Sequence, residues 1–365
     1  MSNPTVRLYG RVVGHGSHAQ VTEGFAGALR EAGLLAGLVA FDQDLPPDSP
    51  QPGGALAPHA VFTGPLGYLR AMRTAARHQQ RYAMLAPNSS VVPGNLILAL
   101  EGACTEMLVP SEWAQGVVEE LTSLAVRVVP HGVAAGFRRS DALRQAAWTG
   151  YRRGEFNVLH LSSSDRDRKG TRALVEAWGM LIGSGAVPAD AKLRLVLDME
   201  ALSKTLAWMA ERLGPNTGTV TLTVRMDSPP ARLAEVYGAH HVVCQPSRGE
   251  GFGMVPLEAL ASGVPIVATA CTGHSQWFRP GLPGAAPVEH GPDAPIDDLP
   301  GALAPSVEPD AIAAALRRAY TDWAALDAAA AAGAAALRET WAWSKQLAPF
   351  VEYLRTNTEE TTINE

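Results

Sequence analysis

The chain has 365 residues, 47% of them hydrophobic and 18% charged, with a formal net charge of −6. That length predicts about two domains, and no apolar run approaches the ~18 residues that would span a bilayer. Cys104, Cys244 and Cys271 are too few and too widely spaced for a disulfide framework or a zinc cluster, and without a secretory pattern at the N-terminus a cytoplasmic location is expected. Residues 1–150 hold 11 Lys+Arg and 11 Asp+Glu, and the remainder 19 against 25, so bulk charge does not announce a nucleic-acid binder.

The first half reads as strands alternating with helices. A strand is predicted over 6–13, with a glycine-rich exit at Gly14-His15-Gly16-Ser17, then a helix over 18–32 and a strand at 38–41. A Pro/Gly-rich loop at 45–58 leads to short strands at 60–62, 82–86, 106–109 and 126–129, with helical stretches between them. No acidic residue occurs from 49 to 100, while Arg70, Arg73, Arg77 and Arg81 recur at helical spacing, which predicts four guanidinium groups along one face. Such a row suits the phosphates of a membrane lipid surface or a nucleic acid; it equally suits a solvated face whose acidic partners lie on other elements.

The second half repeats the alternation. Strands are predicted at 156–161, 193–197, 220–224, 241–244 and 266–268, with helices at 171–181, 201–213 and 233–237. A surface loop over 281–305, Ala-rich helices at 310–320 and 322–338, and a disordered tail from Thr356 follow. The pattern predicts parallel sheets covered on both faces, with ligands at the carboxyl ends of the strands. The expected boundary lies at 150–154, giving domains 1–150 and 151–338 and a terminal segment 339–365.

Two stretches carry chemistry. Ser247-Arg-Gly-Glu-Gly-Phe-Gly-Met-Val-Pro-Leu-Glu258 places two carboxylates, Glu250 and Glu258, around a glycine-rich turn that enters a short helix, with Pro256 in its first turn and Gly263 at its stop. The amides at that helix start favour an anion such as a diphosphate, and the two glutamates can accept hydrogen bonds from the hydroxyls of a sugar and a ribose. In Ser162-Ser-Ser-Asp-Arg-Asp-Arg-Lys-Gly170, the cations Arg166, Arg168 and Lys169 sit at a helix N-terminus, where the macrodipole disfavours them. A local rule broken in this way points to a functional site: a diphosphate would supply the anion, or Asp165 and Asp167 would form local ion pairs.

These stretches resemble the paired-glutamate motif of the retaining family 4 glycosyltransferases (glycosyl transferases group 1) of the GT-B fold, in spacing, glycines, proline and the following Ala-x-Gly-x-Pro-x-Val. The resemblance is strong over 155–275 and weaker over 1–150. It implies an α/β fold of two Rossmann-like doubly wound domains facing a central cleft, the first receiving the acceptor and the second the nucleotide sugar. The helix containing Trp341 and Tyr353 is expected to cross back to the first domain.

The implied activity is a hexosyl- or pentosyltransferase using a UDP-, GDP- or ADP-linked sugar, with neither metal nor cofactor. By resemblance Arg168 and Lys169 stabilise the leaving diphosphate, and Glu250 orients the sugar hydroxyls. The backbone of Gly251, Phe252, Gly253, Met254 and Val255 holds phosphate and sugar oxygens, and Glu258 holds the ribose. The family's usual upstream arginine is replaced by Ser163 or Ser164, so its role passes to Arg166 or Arg168, of which Arg168 is preferred. Gly16 belongs to the N-terminal glycine loop that faces the cleft, Met226-Asp227-Ser228 to the seat of the base, and Thr272-Gly273-His274 to a further ligand-facing loop. The acceptor attacks from the face the leaving group vacates, so no strong protein base is needed, and neither His59 nor His78 is assigned as one. Expected acceptors are a glycan, a lipid or a metabolite. The alternatives are a modified base of DNA, reached through the arginine row, and a catalytically silent nucleotide-sugar binding module.

Overall fold

The structure, a computed structural model, describes residues 5–11, 17–40, 57–63, 78–162, 167–224, 228–297 and 299–363. The chain divides into two compact units: Met1–Pro87 with Val91–Ala134 and Thr340–Glu365, and Asn88–Ser90 with Ala135–Glu339.

In unit 1 the strands are β1 (Val6–Gly10), β2 (Leu35–Ala40), β3 (His59–Phe62), β4 (Gln80–Met84), β5 (Glu106–Val109) and β6 (Ala125–Val128), and the helices α1 (Ser17–Glu31), α2 (Gly94–Glu101) and α3 (Glu112–Glu119). The sheet is parallel throughout, in the order β2-β1-β3-β4-β5-β6. β3 and β5 are buried at every residue, as strands covered on both faces must be. Tyr9, Phe62, Ile97 and Met107 form the centre of the core.

The last helix, Trp343–Ile363, belongs to unit 1, as the crossover expectation required. Leu347, Phe350 and Leu354 are buried, and Phe350 meets the Tyr82 ring edge-on at 5.4 Å. Tyr353 donates to Glu106 Oε2 at 2.7 Å, while Arg127 holds Oε1 at 2.6 Å and lies over the Tyr353 ring. The disordered tail expected from Thr356 is instead helical to Ile363. The docked stem has already met the nucleation cost that an isolated polar segment could not, and Thr358 hydrogen-bonds to His59 Nε2 at 2.8 Å.

The arginine row also needs correction. Arg81 lies in β4, where its guanidinium donates to the carbonyls of Ala103 (2.7 Å) and His78 (3.0 Å). Strand pairing therefore overrides the helical spacing at that position, and Arg70, Arg73 and Arg77 lie outside the described residues.

Unit 2 is a second parallel sheet. Its strands are β7 (Asn157–Leu161), β8 (Lys192–Leu197), β9 (Val220–Val224), β10 (Val242–Gln245), β11 (Ile266–Thr269) and β12 (Ala285–Val288). Around it lie α4 (Asp141–Arg152), α5 (Thr171–Gly183), α6 (Met199–Leu213), α7 (Pro230–Gly238), α8 (Met254–Ala261), α9 (Pro309–Thr321) and α10 (Trp323–Thr340). The order β12-β11-β10-β7-β8-β9 is that of a dinucleotide-binding sheet, and it reverses direction between β7 and β10. Phe156, Trp178, Leu195, Leu316 and Trp323 lie in its core.

Two expectations change here. The boundary at 150–154 falls instead at Ala134–Ala135, because α4 is part of unit 2. Arg144 of α4 is 1% exposed and reaches Asp327 Oδ1 of α10 through Nε (3.0 Å) and Nη2 (2.5 Å), and Trp148 Nε1 donates to Oδ2 at 3.1 Å. The polar stretch at 150–154 marks only the turn from α4 into β7. The surface loop expected over 281–305 contains the edge strand β12 and an antiparallel ribbon of β13 (Asp293–Pro295) and β14 (Leu303–Pro305). Pro287 is tolerated in β12 because that strand is at the sheet edge. Among the described residues no helix is long and apolar enough to cross a membrane.

Candidate active site

In a doubly wound sheet, ligands bind outside the carboxyl ends of the strands where the order reverses. In unit 2 that place is set by the loops after β7 and β10, and both motifs singled out in the sequence fall there. Gln245 at the end of β10 donates to the Leu161 carbonyl at the end of β7, 3.0 Å away. The loops then bond reciprocally: the Arg248 amide donates to the Arg168 carbonyl at 2.8 Å, and Arg168 Nη1 donates to the Gly249 carbonyl at 2.7 Å.

Gly170, the N-cap of α5, has φ +71°, and a Cβ there would lie 2.1 Å from the Pro246 carbonyl oxygen. Only glycine meets both demands, which explains the Lys-Gly pair at this turn. The next residue, Thr171, is buried and bonds to His160 Nε2 (2.9 Å) and Ser162 Oγ (2.6 Å), which fixes the start of α5 on the end of β7.

Lys169 Nζ lies 2.6 Å from Glu250 Oε1, and Arg168 Nη1 lies 3.8 Å from Oε2. Burial pushes the Glu250 carboxyl up, but the nearby charges of Lys169, Arg168 and His274 more than offset it and bring it down to about 2. Glu250 is therefore ionised at every working pH and only accepts hydrogen bonds. The cations predicted to await an anion already have one inside the protein. Asp167 does not form a solvated local pair either: its Oδ2 takes Arg248 Nη1 at 2.7 Å, with both side chains largely buried. Arg166 lies outside the described residues.

Glu258 sits on α8, 3% exposed, and accepts from the hydroxyl of Tyr237 on α7 at 2.8 Å. The amides of Gly253, Met254 and Val255 open α8 without intrahelical acceptors. Gly253 caps the helix at φ +81°, and a Cβ there would lie 1.8 Å from His274 Cδ2. The His274 imidazole donates through Nδ1 to the Thr269 carbonyl at 2.8 Å, while Nε2 has no hydrogen-bond partner among the described residues. Burial pushes its pKa below the usual imidazole range, against the pull of Glu250.

The loop after β11 locks this turn in place. Thr272, at φ 48°, accepts from the Glu250 amide at 3.1 Å, and the Gly273 amide donates to the Glu250 carbonyl at 2.8 Å. Gly253→Ala would force a left-handed alanine, costing ~1–2 kcal/mol, and would also drive its methyl into the imidazole. The variant is expected to melt about 4–8 °C below the parent, which a calorimetric scan would check; an unchanged transition would mean that the turn repacks freely.

The structure thus brings together Arg168, Lys169, Glu250, Gly251, Phe252, Gly253, Met254, Val255 and Glu258 in unit 2. Gly16, Met226 and Asp227 lie outside the described residues. Tyr237 and Arg248 were not anticipated. Tyr237 reads in sequence as an apolar helix residue, and Arg248 as a cation whose partners lie far along the chain. Among the described residues no group of three or more His, Cys, Asp or Glu could hold a metal ion.

Residues 155–322, somewhat under half of the chain, match the family described as Glycosyl transferases group 1. D-inositol 3-phosphate glycosyltransferase of Kribbella flavida is 42% identical over 98 residues, which are 27% of this chain and 22% of that protein. The protein of the same name from Corynebacterium glutamicum is 33% identical over 136 residues, 36% of this chain and 31% of its own. The matched stretches therefore span less than a third of either relative. Sucrose-phosphate synthase from Thermosynechococcus elongatus overlays with a TM-score of 0.68 at 18% identity, covering 98% of this chain and 100% of that one. Anabaena Alr3699/HepE, solved with UDP and glucose, overlays at 0.66 with 16% identity, covering 96% and 99%. At such identities the overlays show the fold, and that fold is GT-B. With the motifs at the switch point of its sheet, the stretch 155–322 is a Glycosyl transferases group 1 domain.

Proposed function

We propose that the protein is a metal-independent glycosyltransferase that moves a sugar from a nucleotide sugar to a hydroxyl acceptor with retention of configuration. The observation that carries this reading is the largely buried Lys169–Glu250 pair, 2.6 Å apart at the switch point, with the start of α8 following in the same loop. The family match and the glycosyltransferase names of the relatives support it.

In this reading the donor diphosphate takes the amides at the start of α8 together with Lys169 and Arg168. Those two cations supply the positive charge against which a nucleoside diphosphate departs. Lys169 turns from Glu250 toward the phosphate, and the released carboxylate accepts hydroxyls of the transferred sugar. Glu258, oriented by Tyr237, accepts the ribose hydroxyls. The acceptor oxygen bonds to the anomeric carbon on the face from which the diphosphate leaves, and its proton passes to a phosphate oxygen. UDP is the favoured nucleotide, since structures of similar fold hold UDP or UDP-glucose. The acceptor is a hydroxyl of a glycan, a lipid or a metabolite.

The test is a panel of UDP-, GDP- and ADP-sugars scored by melting temperature and by slow hydrolysis. A donor present at a hundredfold its Kd adds ~2.7 kcal/mol, an upward shift of about 5 °C or more, and Glu258→Ala is expected to abolish it. Activity in excess chelator should be unchanged. A panel in which no nucleotide sugar shifts the protein would overturn the reading.

A further inference from the structure

Arg248 joins three segments of unit 2. The residue is 7% exposed, and its guanidinium gathers four backbone carbonyls and a carboxylate. Nε donates to Pro305 at 3.0 Å, and Nη2 to Ala294 and Pro295 at 2.9 Å each and to Ala304 at 3.3 Å, so both strands of the β13–β14 ribbon are held. Nη1 donates to Asp167 at 2.7 Å, and the same Asp167 oxygen accepts the Asp297 amide at 2.9 Å. The backbone amide of Arg248 holds the Arg168 carbonyl. Two residues on, the same loop carries Glu250.

We infer that Arg248 is a positioning residue, which clamps the ribbon 293–305 onto the turn 167–169 and thereby fixes Arg168 and Lys169 for the donor diphosphate. A ribbon of two three-residue strands has no stability of its own. Ile296, Ala302 and Ala304 of this stretch are buried in a small apolar cluster, and other polar attachments among the described residues are slighter: the Leu303 amide on Ser90 Oγ at 2.9 Å and an exposed Arg172–Asp297 pair at 2.9 Å. The planar fork of arginine is what permits one side chain to hold both strands and a carboxylate. The ribbon is thereby part of the frame of the site, through backbone groups alone, so its side chains can change without loss of the clamp. The catalytic half of this inference rests on the nucleotide-sugar reading; the clamp itself does not.

Two measurements separate these. Hydrogen exchange on the full chain should show peptides 167–175 and 291–306 both losing protection in Arg248→Ala, by about tenfold or more in rate. With the donor identified from the panel, kcat should fall by about 10–100-fold while KM stays within about threefold, because a displaced Lys169 fails the departing diphosphate more than the bound one. Arg248→Lys keeps the charge beside Asp167 but cannot span the ribbon, so kcat and protection of 167–175 should recover in part while 291–306 stays open. If Arg248→Ala does not melt cooperatively, Asp167→Asn takes its place and should deprotect 167–175 and lower kcat in the same sense. Unchanged exchange at 167–175, or kcat within about twofold of the parent, overturns the inference. A parent protein that uses no donor overturns the transferase reading, and the exchange data still decide the clamp.

Discussion

Lys169→Ala is expected to lower kcat by about 10²–10³-fold, the range typical for removal of one preorganised group that stabilises transition-state charge. KM should rise less, because on the proposed reading Arg168 and the α8 amides still hold the donor. The same change should reset the acid chemistry of the site. In the parent, Glu250 titrates at about 2, below its ordinary value of 4.5, so its contribution to stability is present above pH 4.5 and is lost as the pH falls through 2. Without Lys169 the upward push of burial meets only the more distant Arg168 and His274, and the carboxyl titrates higher. The stability difference between parent and variant is then widest at neutral pH and narrows toward pH 2, whereas loss of an unpaired surface lysine would leave a small gap nearly independent of pH. Melting temperatures from pH 3 to 8, with kcat at pH 7, check both parts. A gap independent of pH together with kcat within about threefold would remove Lys169 from the proposed chemistry.

Asp327→Ala should be the most destabilising single change away from the site. Arg144 is fully enclosed and relies on Asp327 for charge, while Arg139 Nη2 (3.3 Å) and Trp148 share the same carboxylate. The Gly238 and His240 carbonyls that also take Arg144 cannot neutralise it. Removing one partner of a buried pair typically costs about 3–5 kcal/mol, a fall in melting temperature on the order of 10 °C for a unit of this size. Replacing both Arg144 and Asp327 by leucine should recover most of that loss, because no charge is then stranded. Urea denaturation of the two single variants and the double variant measures the coupling directly; a loss below about 1 kcal/mol for Asp327→Ala would show that water reaches Arg144.

The sheet strands were legible where a compact apolar run has no competing period. Strands β5 and β9 fall on their expected residues, and α8 starts and stops as Pro256 and Gly263 indicate. Both halves of the site were legible too, because glycines and charges at a strand exit are local signals. What the sequence hid is tertiary. Arg144 and Asp327 are separated by 183 positions, so nothing local assigns α4 to unit 2. Arg81 shares a spacing with Arg70, Arg73 and Arg77 but belongs to a strand. The ribbon β13–β14 read as a loop because its own residues contribute little, and the arginine that holds it lies 45 or more positions earlier.

The contact between Lys169 and Glu250 has a consequence for selectivity. A bare orthophosphate reaching this site must draw Lys169 away from a carboxylate 2.6 Å off, and it leaves that carboxylate buried with nothing to bind. On the proposed reading a nucleotide sugar asks for the same displacement but brings hydroxyl groups that satisfy the abandoned oxygens. On that reading only the complete donor makes the exchange of partners even-handed, and free phosphate meets a closed internal ion pair in place of an open cation.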